Sequence, residues 1–317
     1  MSQPHPRSEH PPNTPFESPN PLISHDNHQD PSHFPSIAFA GDMAKTYNQR
    51  TGGCNITLAN HLINLIAPSL PPPSTTPTLR ILDNACGPLV LTTQCLLNPH
   101  LTSYPSLHIS AVDLSPDFIA ANLTTIANSP TFHAGGRANV DTAIMDGTSL
   151  SFPASTFDLS FTSLGIFAFP DPVAGARELY RTLKPGGVTA ATTWKSVGWL
   201  PLLHEVEELL RPGQAKTRIA FLEPWCVPGK LAGTLREGGF DRVEEREVEG
   251  VAWWEGVEEA AFWMAATVRM LVGWGEEEKG GMEGGFRVVL ERGGGVVRRE
   301  GGRVGIAMVA FAGVGWK

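Results

Sequence analysis

Three acids stand at the ends of short apolar runs: Asp83 after Ile81-Leu82, Asp113 after Ala111-Val112, and Asp146 after Ile144-Met145. The first is followed by the smallest side chains of the chain's apolar half, Ala85-Cys86-Gly87, and then by Leu89 to Leu97, which can turn as a helix. A strand, a small-residue turn and a helix in that order present backbone N–H groups to a ligand at a helix N-terminus. Small side chains let a ligand come close to the backbone. Carboxylates at successive strand ends add acceptors for hydroxyl and amine groups. The chemistry implied is the binding of a nucleotide-like ligand, and the residues leave open whether it is a dinucleotide.

Elements must hold these acids side by side. Apolar runs at 80–84, 107–113, 142–146, 156–163 and 188–194 read as strands, and the segments between them read as helices. Ser115-Pro116 places a capping side chain before a proline at the first helical position, and Asp171-Pro172 starts a later helix over 172–183. Strands alternating with helices imply parallel βαβ units and a doubly wound α/β sheet. Ligands of such sheets sit at the C-terminal strand ends, where Asp83, Asp113, Asp146 and Ser163 to Phe169 converge. Beyond 194 the sequence predicts helices at 199–210, 225–239 and 255–272, a strand at 241–249, and a last strand at 304–314 paired near it.

Composition bounds the rest. At 317 residues and 41% hydrophobic, the chain can bury a full core. A net charge of −8 argues against a nucleic-acid binder with a broad basic face. No apolar run is long enough for a membrane span, and no secretory leader is visible. Four cysteines without a CxxC pair suggest reduced thiols and a cytoplasmic setting. Residues 1–35, rich in Pro, His, Asn and Ser, read as a disordered tail whose histidines lack metal-ligand spacing. Residues 36–317 read as a single domain: helices and a proline-rich connector over 36–78, a ligand-binding core over 79–195, and substrate-side helices and strands over 196–317. The Gly-, Glu- and Arg-rich segment 273–303 reads as a loose insertion.

The motifs resemble those of class I S-adenosylmethionine-dependent methyltransferases. The resemblance is carried by Ile81-Leu82-Asp83-Asn84-Ala85-Cys86-Gly87, Val112-Asp113-Leu114-Ser115, Met145-Asp146-Gly147, Phe157-Asp158-Leu159 and Leu183-Lys184-Pro185-Gly186-Gly187, in that order. Leu82 to Gly87, Phe167-Ala168-Phe169-Pro170-Asp171 and Thr192-Thr193-Trp194 are similar to fungal natural-product methyltransferases of the gliotoxin thiomethyltransferase type. The resemblance implies a Rossmann-like methyltransferase fold: a mostly parallel seven-stranded sheet with N-terminal helices and a C-terminal antiparallel strand. It implies S-adenosyl-L-methionine as cofactor and a small-molecule acceptor, methylated at S or O in secondary metabolism.

Carried onto this sequence, the cofactor contacts are Asp83 (ammonium end), the Ala85, Cys86 and Gly87 backbone, Asp113 (ribose), Leu114, Asp146 and Gly147 (adenine), and Ser163 and Leu164. Tyr47, Phe167, Phe169 and Trp194 would border the acceptor pocket. His204, or His61, is the candidate base for a hydroxyl acceptor. No cluster has metal spacing, so no metal is expected. Ser163-Leu164-Gly165-Ile166-Phe167 stands where nucleobase methyltransferases carry an Asn/Asp-Pro-Pro-Tyr/Phe element. Two departures stand out: the usual loop has Gly at the positions of Ala85 and Leu89. One alternative is a nicotinamide-dependent oxidoreductase, which would need a fuller Gly-x-Gly-x-x-Gly and a catalytic Tyr-x-x-x-Lys or equivalent. Another is a protein of the same fold, catalytically weak, that acts through partners.

Overall fold

Residues 43–133, 136–298 and 300–317 are described by the computed structural model, and the expected tail 1–35 lies outside them. Two helices come first, α1 (Met43–Arg50) and α2 (Cys54–Ile66). Then β1 (Thr78–Asn84), α3 (Val90–Leu97), a short α4 (Pro99–Thr102), β2 (Ser106–Asp113), α5 (Pro116–Asn128), a short α6 (Pro130–His133) and β3 (Ala138–Ile144) follow. β4 (Phe157–Ser163), α7 (Pro172–Thr182) and β5 (Leu183–Val197) complete the alternating part. The Ser115 cap forms as the sequence predicts, and Asp171 caps α7 in the same way. Ser115 Oγ accepts from Phe118 N at 3.3 Å, and Asp171 Oδ1 accepts from Ala174 N at 2.9 Å. Each satisfies an otherwise orphaned helix N–H.

The second half adds α8 (Trp199–Leu210), α9 (Lys230–Glu237), β6 (Arg242–Trp254), α10 (Val257–Val268), α11 (Glu276–Arg292), β7 (Val296–Arg298) and β8 (Val304–Trp316). The sheet order is β3-β2-β1-β4-β5-β8-β6, with β7 pairing β8 off this path. β1 to β5 pair in parallel, and β8 runs antiparallel to both β5 and β6. The fold is α/β and doubly wound, with the seven-strand path that the motifs imply. Strand order reverses between β1 and β4, which creates a crevice at their C-terminal ends.

Both faces of the sheet are covered. Leu79 and Ile81 of β1 and Leu159 and Phe161 of β4 pack with Leu58, Leu62 and Ile66 of α2. Leu82 joins the opposite cluster with Leu179, Leu202, Val206, Met264 and Phe286. β6 runs five residues beyond the expected end at 249. At Gly250 an added Cβ would come within 3.1 Å of the Cys54 carbonyl oxygen, so its absence lets α2 lie close against this strand.

The segment 273–303 differs from expectation. It holds the 17-residue helix α11 and the strand β7 rather than a loose insertion. Its glycines are contact residues. A Cβ on Gly285 would stand 2.7 Å from Val206 Cγ1 and one on Gly281 3.2 Å from Leu210 Cδ2, so α8 and α11 approach closely along a glycine stripe. Met282, Phe286, Val289 and Leu290 bury the same side at helical spacing. Helix propensity alone disfavours this sequence, and packing overrides it. The expected helix 225–239 is likewise shortened to α9, which begins after Gly229 in the left-handed region.

Candidate active site

The turn after β1 holds three left-handed residues: Ala85 (φ 61°), Gly87 (φ 49°) and Leu89 (φ 62°). Only one is glycine, so the backbone takes this course at a steric cost of roughly 1–2 kcal/mol at each of the other two. Neighbouring groups hold it there. Cys86 N donates to Val112 O at 2.9 Å, Gly87 N donates to Asp113 Oδ2 at 2.8 Å, and Asn122 Nδ2 donates to Gly87 O at 2.8 Å. Leu89 turns its side chain fully into the core. Around Gly87 itself the space is open: an added Cβ would meet nothing within 4 Å.

Asp83 is buried at the root of this turn. Its Oδ2 accepts from Thr92 N (3.1 Å) and Thr92 Oγ1 (2.6 Å), while Oδ1 is buried without a partner. Burial pushes its pKa up to about 7, against the opposing effect of the Thr92 bonds. Asp113 is half-buried, with Oδ1 accepting from Ser115 N at 2.9 Å. Burial raises its pKa too, offset in part by hydrogen bonds from backbone N–H groups. Each of its oxygens has one bond drawn from the backbone, which leaves lone pairs for ligand hydroxyls. Beside it Leu114 is 65% exposed, an apolar side chain left open at a strand end.

Asp146 lies just past β3, in a turn where its Oδ1 accepts from Thr148 N and Thr148 Oγ1, both at 2.8 Å. Gly147 follows. A Cβ there would stand 2.5 Å from Phe169 Cζ and 2.7 Å from Asn84 Oδ1, so only glycine lets the loops after β1, β3 and β4 meet. Asn84 Nδ2 donates to Gly147 O at 3.2 Å, and Asn84 Oδ1 is buried without a partner. After β4, Leu164 is left-handed (φ 55°) and its N–H donates to Thr192 Oγ1 at 2.9 Å. A Cβ on Gly165 would collide with that of Ala85 at 2.6 Å, which places the two loops in contact across the crevice.

A cavity of about 150 Å³ adjoins this crevice. Leu164, Phe167, Trp194, Phe221, Trp254 and Met264 give it an apolar, largely aromatic lining. Tyr47 stands at the seam. It lines the cavity, packs edge-on to Phe118 of α5 at 6.3 Å, and its hydroxyl feels the Asp113 charge. Asn55 Nδ2 donates to Tyr47 Oη at 2.8 Å, and Cys54 Sγ lies 3.3 Å from Asn55 Oδ1.

Residues 82–191 match the methyltransferase domain family. Over these residues the chain carries a methyltransferase domain. S-adenosylmethionine is the cofactor of that domain. Among similar curated proteins, "Methyltransferase tpcH" of Aspergillus fumigatus is 26% identical over 176 residues, covering 54% of this chain and 60% of its own length. "Demethylmenaquinone methyltransferase" of Corynebacterium kroppenstedtii is 44% identical over 131 residues, covering 37% and 57%. "Nocamycin O-methyltransferase" of Saccharothrix syringae is 28% identical over 203 residues, covering 59% and 66%. The chain thus spans about 60% of the length of the first of these relatives.

The methyltransferase domain has residues that fit this cofactor. The unpartnered Asp83 Oδ1 suits a cationic ammonium, the spare acceptor capacity of Asp113 suits hydroxyls, and the exposed Leu114 suits the face of a flat ring. Of the residues singled out in the sequence, Asp83, Ala85, Cys86, Gly87, Asp113, Leu114, Asp146, Gly147, Ser163 and Leu164 all fall at the C-terminal ends of β1 to β4. Tyr47, Phe167 and Trp194 line the cavity; Phe169 is not among its lining residues. Its ring instead fills the space left by Gly147 and Gly175, each of which would put a Cβ about 2.5 Å from it.

His204 and His61 do not line the cavity either. His204 Nε2 lies 3.0 Å from Thr217 O, on the outer course of α8. Tyr180 and Lys184 have the Tyr-x-x-x-Lys spacing, yet Lys184 Nζ pairs with Asp158 Oδ1 at 2.7 Å near the start of β4, the end of the sheet opposite the acids. Tyr180 packs edge-on to Phe240. The four cysteines are free thiols. Among the described residues no group of His, Cys, Asp and Glu is placed to hold a metal, and no helix is long and apolar enough to cross a membrane.

Sequence reasoning missed Asn55 and Cys54. The signal was present in α2, where Asn55 shares the buried stripe of Leu58, Ala59, Leu62 and Ile66. A polar residue on an apolar stripe needs a partner, and here the partner comes from α1.

Proposed function

We propose that this protein transfers a methyl group from S-adenosylmethionine to a small, largely apolar acceptor, at oxygen or sulfur, in fungal secondary metabolism. One observation carries the reading: a mainly apolar, aromatic-walled cavity opens beside the crevice of acids, with Tyr47 lining it and near enough to Asp113 for its hydroxyl to feel that charge. The cofactor, when bound, supplies an electrophilic methyl group on a sulfonium. The protein's own part is to bind, align and keep out water. Asp83 and the Ala85–Gly87 backbone would hold the amino-acid end, and Asp113 would accept from the ribose hydroxyls, with the exposed Leu114 against the flat ring. Asp146 and Gly147 would border the adenine, and Ser163 and Leu164 would lie along the cofactor. Phe167 and Trp194 exclude water from the acceptor. The similarity to Nocamycin O-methyltransferase supports a small-molecule acceptor methylated at oxygen, and that to Methyltransferase tpcH of Aspergillus fumigatus supports a fungal setting.

Calorimetric titration with S-adenosylmethionine and its demethylated product is the first test, and product mass spectrometry against extracts of the producing cell is the second. Binding in the micromolar range and a gain of one methyl mass are expected. No binding at high micromolar concentration would refute the reading and favour a protein of this fold that acts through partners.

A further inference from the structure

Three polar side chains of the cavity wall form one chain with a direction. Cys54, Asn55 and Tyr47 all line it. Asn55 Oδ1 takes the Cys54 thiol at 3.3 Å, and Asn55 Nδ2 donates to Tyr47 Oη at 2.8 Å. Tyr47 Oη is therefore an acceptor within this chain, and its own proton finds no acceptor among the described residues. Burial pushes Cys54 up to about 12 and raises Tyr47 as well, so both keep their protons near neutral pH. The relay ends in an unused O–H donor at the seam between Asp113 and a mainly apolar space, whose other polar lining groups, Arg50, Thr51 and Thr267, are bonded elsewhere. Asn55 is itself buried, and so fixes the direction in which that donor is spent.

We propose that the Tyr47 hydroxyl selects the methyl acceptor, donating a hydrogen bond to an oxygen of a planar, apolar compound that carries a phenolic or enolic group. The proposal rests on the methyltransferase reading above and narrows its acceptor atom to oxygen. Sulfur is a weak acceptor and would leave the donor poorly used, whereas an ionised or carbonyl-conjugated oxygen uses it fully. Planarity follows from the walls, where Phe167 and Phe221 stack at 6.4 Å with 22° between ring planes and Trp194 and Trp254 face the same space. Asn55 acts through Tyr47 and is a positioning residue.

The test is binding rather than turnover. The protein is saturated with S-adenosylhomocysteine and titrated with 2-naphthol and, separately, with naphthalene, read by quenching of tryptophan fluorescence. The parent should bind 2-naphthol about tenfold more tightly than naphthalene, the gain of one well-placed hydrogen bond. In Tyr47→Phe, which keeps the ring against Phe118, the two probes should bind alike, with naphthalene and S-adenosylhomocysteine affinities unchanged. Unchanged S-adenosylhomocysteine affinity also reports that the variant is folded. A naphthol preference that survives in Tyr47→Phe would overturn the proposal. So would a variant that loses S-adenosylhomocysteine affinity instead, since Tyr47 would then serve the cofactor. Failure of both probes to bind the parent at their solubility limits would remove the aromatic acceptor. Failure of the parent to bind S-adenosylhomocysteine refutes the methyltransferase reading, while the naphthol comparison without it still reports on the cavity.

Discussion

Replacing Leu89 by glycine would restore the residue that the usual cofactor loop carries, and the structure predicts that the restoration destabilises the protein. Leu89 has φ 62°, in the left-handed region, at the N-terminus of α3. Glycine relieves about 1–2 kcal/mol of steric strain there. The leucine side chain is also fully buried, among Leu91, Cys95 and Leu58 in one core cluster. Deleting such a side chain costs about 2–5 kcal/mol through lost transfer energy and the cavity left behind. The net expectation is a loss of about 1–3 kcal/mol. Ala85→Gly is the control: its φ is 61°, but its side chain is small and only half-buried, so relief of strain dominates and stability should hold or rise by up to about 1 kcal/mol. Urea denaturation reads both through the shift in midpoint at constant slope. A Leu89→Gly variant as stable as its parent would refute the reasoning, because burial would then not compensate the strain. A gain in cofactor affinity in the same variant, measured by calorimetry, would show that the leucine also distorts the loop.

Three further outcomes follow from the same geometry. Asp113→Ala removes an acceptor for ligand hydroxyls and releases the Gly87 N–H, so S-adenosylmethionine affinity should fall by about 2–3 kcal/mol in calorimetry; unchanged affinity would make Asp113 a structural clasp alone. Asp83 is raised to about 7 in the folded state, so folding favours its protonated form: stability should be greatest below the unfolded value near 4 and decline as pH rises towards 7, and Asp83→Asn should flatten that part of a urea-midpoint profile. Affinity for the cationic cofactor should rise through the same window as the carboxylate ionises. In α11, Gly285→Ala should cost about 1–3 kcal/mol by pressing on Val206, while Gly280→Ala and Gly284→Ala, where an added Cβ meets nothing within 4 Å, should each gain about 0.5–1 kcal/mol in thermal or urea unfolding.

The sequence by itself determined what short-range chemistry determines. Capping by Ser115 and Asp171 is an interaction over three residues, so local identity suffices to place α5 and α7. The acids at 83, 113 and 146 were legible because parallel strands end on one side of the sheet, whatever else packs around them. Even the strained turn could be anticipated, since Ala85 and Leu89 occupy positions whose backbone course is set by the loop. Tertiary structure alone decided the rest. The glycines of 273–303 read locally as helix breakers, and become a helix because Val206 and Leu210 lie against them. Phe169 and Phe167 are two residues apart and chemically alike, yet one fills the gap left by Gly147 and Gly175 and the other lines the cavity. The cavity draws its walls from α1, α2, β5, β6, β8 and α10, so no local pattern could announce it. The Cys54–Asn55–Tyr47 relay joins two helices across a left-handed turn at Gly52 and Gly53. Its direction depends on which groups are buried and which donors remain unspent, and the fold as a whole sets both.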